Sequence, residues 1–170
     1  MPASIEISNL SKSFGCFTAV NDLNLTIYPC QIIALLGPNG AGKSTLMNML
    51  AGYLAPSAGK IEILGQDISA APATAKKNIG FLPEGSPLYD DMSVNSFLSY
   101  LAELKSLPAS SVMTVLELAN IKNVAAQKIE TLSKGYKRRV GFAVSLLGNP
   151  PILLLDEPTD GLDPNQKEHM

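Results

Sequence analysis

With 170 residues, 46% of them hydrophobic, the chain carries enough apolar side chain to bury a sizeable core and matches the size of one domain. Thirteen Lys and Arg against fifteen Asp and Glu leave a formal net charge of -2, which excludes a strong positive field for a polyanion, so no nucleic acid is expected as a partner. Cys16 and Cys30 form no CxxC pair and have no His nearby, which excludes a zinc site and leaves buried, reduced thiols in a cytosolic setting as the expectation.

The first thirty residues alternate apolar and polar positions, as in IEISNL and VNDLNLTI, and predict short antiparallel strands joined by turns. The opening MPASIEISNLSKSF has no basic region followed by an apolar run, so no secretory signal is expected. QIIALLG is a dense apolar run ending in Gly37, the pattern of a buried strand in a parallel sheet, and GKSTLMNMLAG continues it as a helix closed by Gly52. Two further short strands are predicted at KIEIL and IGFL, with a small, polar and Ala-rich segment between them. After Pro87 the period changes: Val94, Phe97, Leu98, Leu101 and Leu104 fall on one helical face, and a second helix is predicted from Pro108 through Ala119.

Residues 86 to 148 approximately are therefore expected to form a helical subdomain, after which PPILLLDEP resumes the sheet. The fold class is α/β, with a parallel sheet core, an N-terminal antiparallel β subdomain and a helical insertion. The most apolar stretch, VGFAVSLLGNPPILLLDEP, is interrupted by Gly148, Asn149, Pro150 and Pro151 before it reaches spanning length, so no membrane crossing is expected.

Between the apolar run and the first helix stands Gly37-Pro38-Asn39-Gly40-Ala41-Gly42-Lys43-Ser44-Thr45, which fits G-x-x-x-x-G-K-[ST], the Walker A phosphate loop, in the strand-loop-helix context that the motif requires. Its glycines let backbone N–H groups close around phosphates, and the helix N-terminus adds positive potential. Lys43 is expected to reach the β and γ phosphates, and Ser44 to ligate Mg²⁺.

The second strand-end motif is PILLLDEP, which puts Asp156 and Glu157 at the carboxyl edge of the sheet, where ligands of such folds bind. Asp156 is expected to hold Mg²⁺ and Glu157 to orient or deprotonate a water; the alternative is an acidic pair that caps the next turn. LSKGYKRRV, from Leu132 to Val140, places Ser133 at the N-cap of a basic helix, where its hydroxyl and the Gly135 amide can donate to an anion. In the cluster Lys134, Lys137, Arg138 and Arg139, Lys137 and Arg139 are expected on a solvated helix face, and Lys134, inside the loop, is the expected neighbour of a phosphate.

Taken in order, the phosphate loop, LSKGYKRRV, LLLDEP and TDGLDP resemble the ATP-binding subunit of an ABC transporter, with LSKGY in the place of that family's LSGGQ signature. The resemblance runs from Phe14 to Asp163 and implies a P-loop NTPase (RecA-like) fold that binds and hydrolyses ATP with Mg²⁺. It also implies a homodimer in which each signature helix meets the γ-phosphate of the ATP held by its partner, so Ser133 and Gly135 act in trans. Phe14 stands where the family stacks an aromatic on adenine, with Phe17 close by, and a core aromatic is the alternative. Glu84 occupies the place of a Gln that senses Mg²⁺ and the attacking water, and Gly161-Leu162-Asp163 that of a loop meeting the partner subunit. Lys134 and Tyr136 depart from the signature, replacing Gly and Gln.

FLPEGSPLYDDMSV resembles the subset that works with a separately encoded membrane permease, often in export, including gliding-motility and multidrug-efflux systems. A cytoplasmic location, peripheral on the membrane through the permease, follows from that resemblance. The family has a further strand and a γ-phosphate-contacting His beyond the DEP motif, whereas this chain ends at NQKEHM with His169 six residues past Asp163. The expectation is one ABC-type domain over residues 1–170, C-terminally truncated, with a solvated His169. The alternative to a transport ATPase is a nucleotide-binding module that truncation leaves without turnover; a soluble translation or repair ATPase of the same superfamily is disfavoured.

Overall fold

The alternation that begins at Ile5 builds a long hairpin in the computed structural model, which describes residues 2–85 and 87–158. Strand β1 (Ile5–Phe14) runs antiparallel to β2 (Phe17–Ile27), from the pair Ile5 and Ile27 to the pair Phe14 and Phe17 at the turn. The register shifts between Ile7 and Leu10, next to Asn9 and Asp22, which both take a positive φ and are joined by an Asn9 Nδ2 to Asp22 Oδ1 hydrogen bond of 2.9 Å. One hairpin therefore replaces the expected series of short strands, because the irregularities are absorbed as bulges.

Strand β3 (Ala58–Ile63) pairs with the other edge of β1, and β4 (Gln66–Asp67) with β3, giving the antiparallel order β2-β1-β3-β4. Period-2 alternation puts Ile5 and Ile7 opposite Ile63 and Ile61, and all four are buried. Helix α1 (Lys43–Leu50) buries Leu46, Met47, Met49 and Leu50 and ends ahead of Gly52, whose φ of 69° is the left-handed helix stop read from the sequence. Helix α2 (Pro72–Lys77) starts on its proline.

The strand expected at residues 31–37 is not formed. Residues 31 to 38 have no regular secondary structure, and Ile32 and Leu36 are 100% and 91% exposed. A central parallel strand exists only through ladder bonds to neighbours and cover on both faces; among the described residues, no backbone bond reaches residues 32–36.

The chain divides into two compact units, Met1–Ile79 and Gly80–Met170. In the second, β5 (Ile79–Leu82), which opens on the last residue of the first unit, and β6 (Ile152–Leu155) form a two-stranded parallel sheet. Between them lie α3 (Val94–Leu104), α4 (Ser110–Leu118), two 3₁₀ turns at Lys122–Val124 and Ile129–Thr131, and α5 (Lys134–Leu146). Their core holds Val94, Phe97, Leu98, Leu116, Ile121 and Val140, so the apolar stripe read for α3 faces inward except at its end, where Leu104 is exposed. Ser93 caps α3, accepting from the Ser96 amide at 3.1 Å. Cys16 and Cys30 are both exposed, against the expectation of burial: they lie in the hairpin turn and just after β2, where neither side of the sheet covers them. Among the described residues no helix is long and apolar enough to cross a membrane.

Candidate functional site

In the first unit, the loop Gly37–Gly42 is built on backbone that glycine alone adopts at low cost. Gly40 and Gly42 both have φ near 83°, and a Cβ at Gly42 would strike the Ala19 carbonyl oxygen of β2. Pro38 accepts from the Ala41 amide at 3.2 Å, tightening the turn through Asn39. Gly42 is then the N-cap of α1, and the first helical bond runs from the Leu46 amide to the Gly42 carbonyl at 2.9 Å. The amides of Lys43, Ser44 and Thr45 precede that bond, as the first amides of any helix do. Lys43 folds over the loop, its Nζ donating to the carbonyls of Gly37 at 2.8 Å and Pro38 at 2.9 Å. A ring of amides at a positive dipole end, with an ammonium inside it, has the chemistry of a polyphosphate cradle.

Phe14 closes the β1–β2 hairpin, 49% exposed, with the Lys12 ammonium 5.2 Å from its ring centre. Phe17, its cross-strand partner, is exposed as well, so neither ring is a core aromatic and both can present a face to a base.

In the second unit, Glu84 follows β5 and Asp156 and Glu157 follow β6, and the Asp156 amide donates to the Leu82 carbonyl at 2.9 Å, so the pairing of the two strands continues to the acidic end. The Glu157 side chain is exposed, and its backbone is left-handed at φ 51°, an uncommon state for a residue with a Cβ. Beneath the two loops lies a residue that the sequence offered only as one member of the basic cluster, with no role of its own. Arg138, buried in the first turns of α5, donates through Nη1 to the carbonyls of Pro83 (2.6 Å) and Glu84 (3.0 Å) and through Nη2 to those of Asp156 and Glu157, the last at 2.7 Å.

Ser133 is the N-cap of α5 as expected: its hydroxyl oxygen accepts from the Tyr136 amide at 3.3 Å, which leaves its proton for another acceptor. Gly135 is buried in the first turn. Tyr136 is held by Asn123, whose Nδ2 donates to its hydroxyl at 3.0 Å. The basic cluster divides by helical geometry. Lys134, Lys137 and Arg138 share one face and, with Glu84, Gly85, Leu88 and Asp90, line a pocket of about 270 Å³. Lys137 pairs with Asp90 there at 2.9 Å. Arg139 is turned to the other side and buried, which overturns the solvated-face reading for it; half a turn of helix separates it from the open face. The i, i+3, i+4 spacing of Lys134, Lys137 and Arg138 was the signal in the sequence for a shared face.

The residues expected to hold Mg²⁺ come from both units, Ser44 from the first and Glu84 and Asp156 from the second. They are hard oxygen donors, the type that Mg²⁺ takes in small number beside phosphate and water. Among the described residues no group of three or more His, Cys, Asp or Glu is gathered for a metal ion. Gly161, Leu162, Asp163 and His169 lie outside the described residues.

Comparison with known proteins agrees in sequence and in fold. The family described as ABC transporter matches residues 20–160. The chain is 36% identical over 160 residues to the lantibiotic transport ATP-binding protein SrtF of Streptococcus pyogenes, covering 94% of this chain and 69% of that protein. It is 37% identical over 168 residues to the Nod factor export ATP-binding protein I of Rhizobium sp. (strain N33), covering 96% of this chain and 55% of that protein. Among solved structures, a dimeric bacterial ABC transporter cassette superposes with a TM-score of 0.89 at 25% identity, covering 97% of this chain and 78% of the cassette. Matches of this length, carried both by sequence and by the P-loop NTPase fold, mean that the chain belongs to the ABC transporter family, as an ATP-binding cassette.

Proposed function

We propose that this chain is the ATP-binding and ATP-hydrolysing subunit of an export system, acting as a homodimer on the cytoplasmic face of the membrane against a separately encoded permease. The names of its relatives, a lantibiotic transport protein and a Nod factor export protein, support export as the direction. Residues 1–170 belong on this reading to one ATP-binding domain, with the helical subdomain at approximately 86–148.

The observation that carries the proposal is the loop Gly37–Gly42, whose two left-handed glycines deliver the chain into α1 with the Lys43 ammonium inside the turn. Lys43 exchanges its two carbonyl acceptors for the β and γ phosphates of ATP, while the amides of Gly40 through Thr45 donate to phosphate oxygens. Phe14 stacks on the adenine. Ser44, Asp156 and Glu84 are assigned to Mg²⁺, which, when bound, neutralises charge developing on the phosphates. Glu157 orients the attacking water and takes its proton, and Ser133 and Gly135 donate to the γ-phosphate of the nucleotide held by the partner subunit.

The test is Lys43→Ala in the full-length protein. Charge-assisted contacts of this type are worth roughly 1.5–3 kcal/mol each, so ATP affinity, measured by equilibrium dialysis, falls about ten- to a hundredfold. Unchanged affinity removes the phosphate-loop assignment. Intact ATP binding by the parent protein with no phosphate release would instead support the module without turnover.

A further inference from the structure

Arg138 is a guanidinium 5% exposed, one helical turn into α5, and four of its acceptors are main-chain carbonyls in two loops remote in sequence. The carbonyls of Pro83 and Glu84 belong to the loop after β5; those of Asp156 and Glu157 belong to the loop after β6. Neighbouring strands carry both loops, and the planar fork of Arg138 spans them, one terminal nitrogen to each. Glu157 needs such a restraint more than most residues. Its left-handed backbone, at φ 51°, is strained for a residue with a Cβ and persists only where the surroundings over-determine it. A cation on the Glu157 carbonyl, backed by the same cation on the preceding carbonyl, is that determination.

We infer that Arg138 is a positioning residue for hydrolysis: by holding the Glu84 and Glu157 carbonyls on one guanidinium, it fixes the backbone from which both carboxylates project. This rests on the assignment of Glu157 to water activation made above. Arg138 acts through the two loops and need not touch nucleotide, so its loss falls on kcat and leaves ATP affinity, set by a loop in the other unit, near its parent value. A lysine keeps the charge but has a single nitrogen, and it cannot reproduce a two-loop fork.

The experiment compares Arg138→Gln and Arg138→Lys with the full-length parent protein in steady-state ATPase and ATP-binding assays, folding being checked by circular dichroism. The expected result is a kcat reduced at least tenfold in Arg138→Gln, a smaller reduction in Arg138→Lys, and an ATP Kd within about threefold of parent in both. A merely structural role is separated by repeating Arg138→Gln in a Glu157→Gln background under single turnover: a residue acting through Glu157 costs little further there, whereas general damage costs the same factor again. Parent-like kcat in a folded variant, an equal loss in both backgrounds, or a loss confined to Kd overturns the inference. Failure of both variants to fold makes Arg138 a structural residue and overturns it as well. A parent protein that neither binds nor hydrolyses ATP fails at the proposed function itself, whereas an active parent with an active Arg138→Gln fails at this inference alone.

Discussion

Lys105 caps the C-terminus of α3; the residue is exposed, but its ammonium donates to the Leu147 carbonyl at 3.1 Å in a partly buried contact, and that desolvation lowers its pKa from the ordinary 10.5. The sign of the resulting pH dependence follows from proton counting. Between the lowered folded value and 10.5, the unfolded chain binds more protons at this site than the folded one, so the contribution of Lys105 to stability rises with pH across that window. The difference in melting temperature between the parent and Lys105→Met, measured at pH 7.5 and again near pH 10, should shift in favour of the parent at the higher pH. A difference that is flat or of opposite sign contradicts the partly buried placement of the ammonium. At this same scale the sequence exposed Lys43 and Ser133, because a phosphate-loop lysine and an N-cap serine are defined by residues within four positions of them. It did not expose Arg138, whose character depends on carbonyls that only the folded strands bring to it.

Among the elements, the approach of α5 to β5 is governed by Gly80. A Cβ at this position would overlap the Ser145 carbonyl and crowd Leu153 and Pro150, and a carbonyl cannot swing aside as a side-chain end can. Gly80→Ala should therefore cost about 1–3 kcal/mol in urea unfolding, while Gly85→Ala, with nothing within 4 Å of its Cβ, stays within about 0.5 kcal/mol of the parent. Equal effects of the two substitutions would refute the tight packing of helix on strand. The helices of the second unit were legible because period, caps and prolines agree locally: Ser133 caps as expected, and Ser93, which the apolar period alone did not mark, caps α3 in the same way. Residues 31–37 carry an equally clear apolar run and yet form no strand, since a strand is completed by neighbours and not by its own residues.

For the whole molecule, the decisive question is whether the signature of one copy serves the nucleotide of another. Ser133→Arg should leave ATP binding to the isolated subunit nearly intact and block ATP-dependent dimerisation, because Arg fills the space in front of the α5 N-terminus. Mixing Ser133→Arg subunits with Lys43→Ala subunits of the full-length protein separates the arrangements. If the signature acts across the dimer, both defects meet in one site and the other keeps an intact loop and signature, so trapped nucleotide remains at about one site per mixed dimer. If it acts within its own chain, each subunit spoils its own site and trapping is lost. What the sequence by itself determined is what short windows specify: the glycine-rich turn into α1, the helix starts, the antiparallel alternation of the first strands, and the acidic strand end. These rest on φ preferences, capping and periodicity, all of which operate over a turn or two of chain. Only the tertiary structure decided that Arg139 turns inward while Lys134 and Lys137 face a pocket, that the Phe14 ring stays open, and that Arg138 joins two loops 18 and 55 residues away. Burial and long-range acceptors are properties of what packs against a residue, and no window of local sequence contains them.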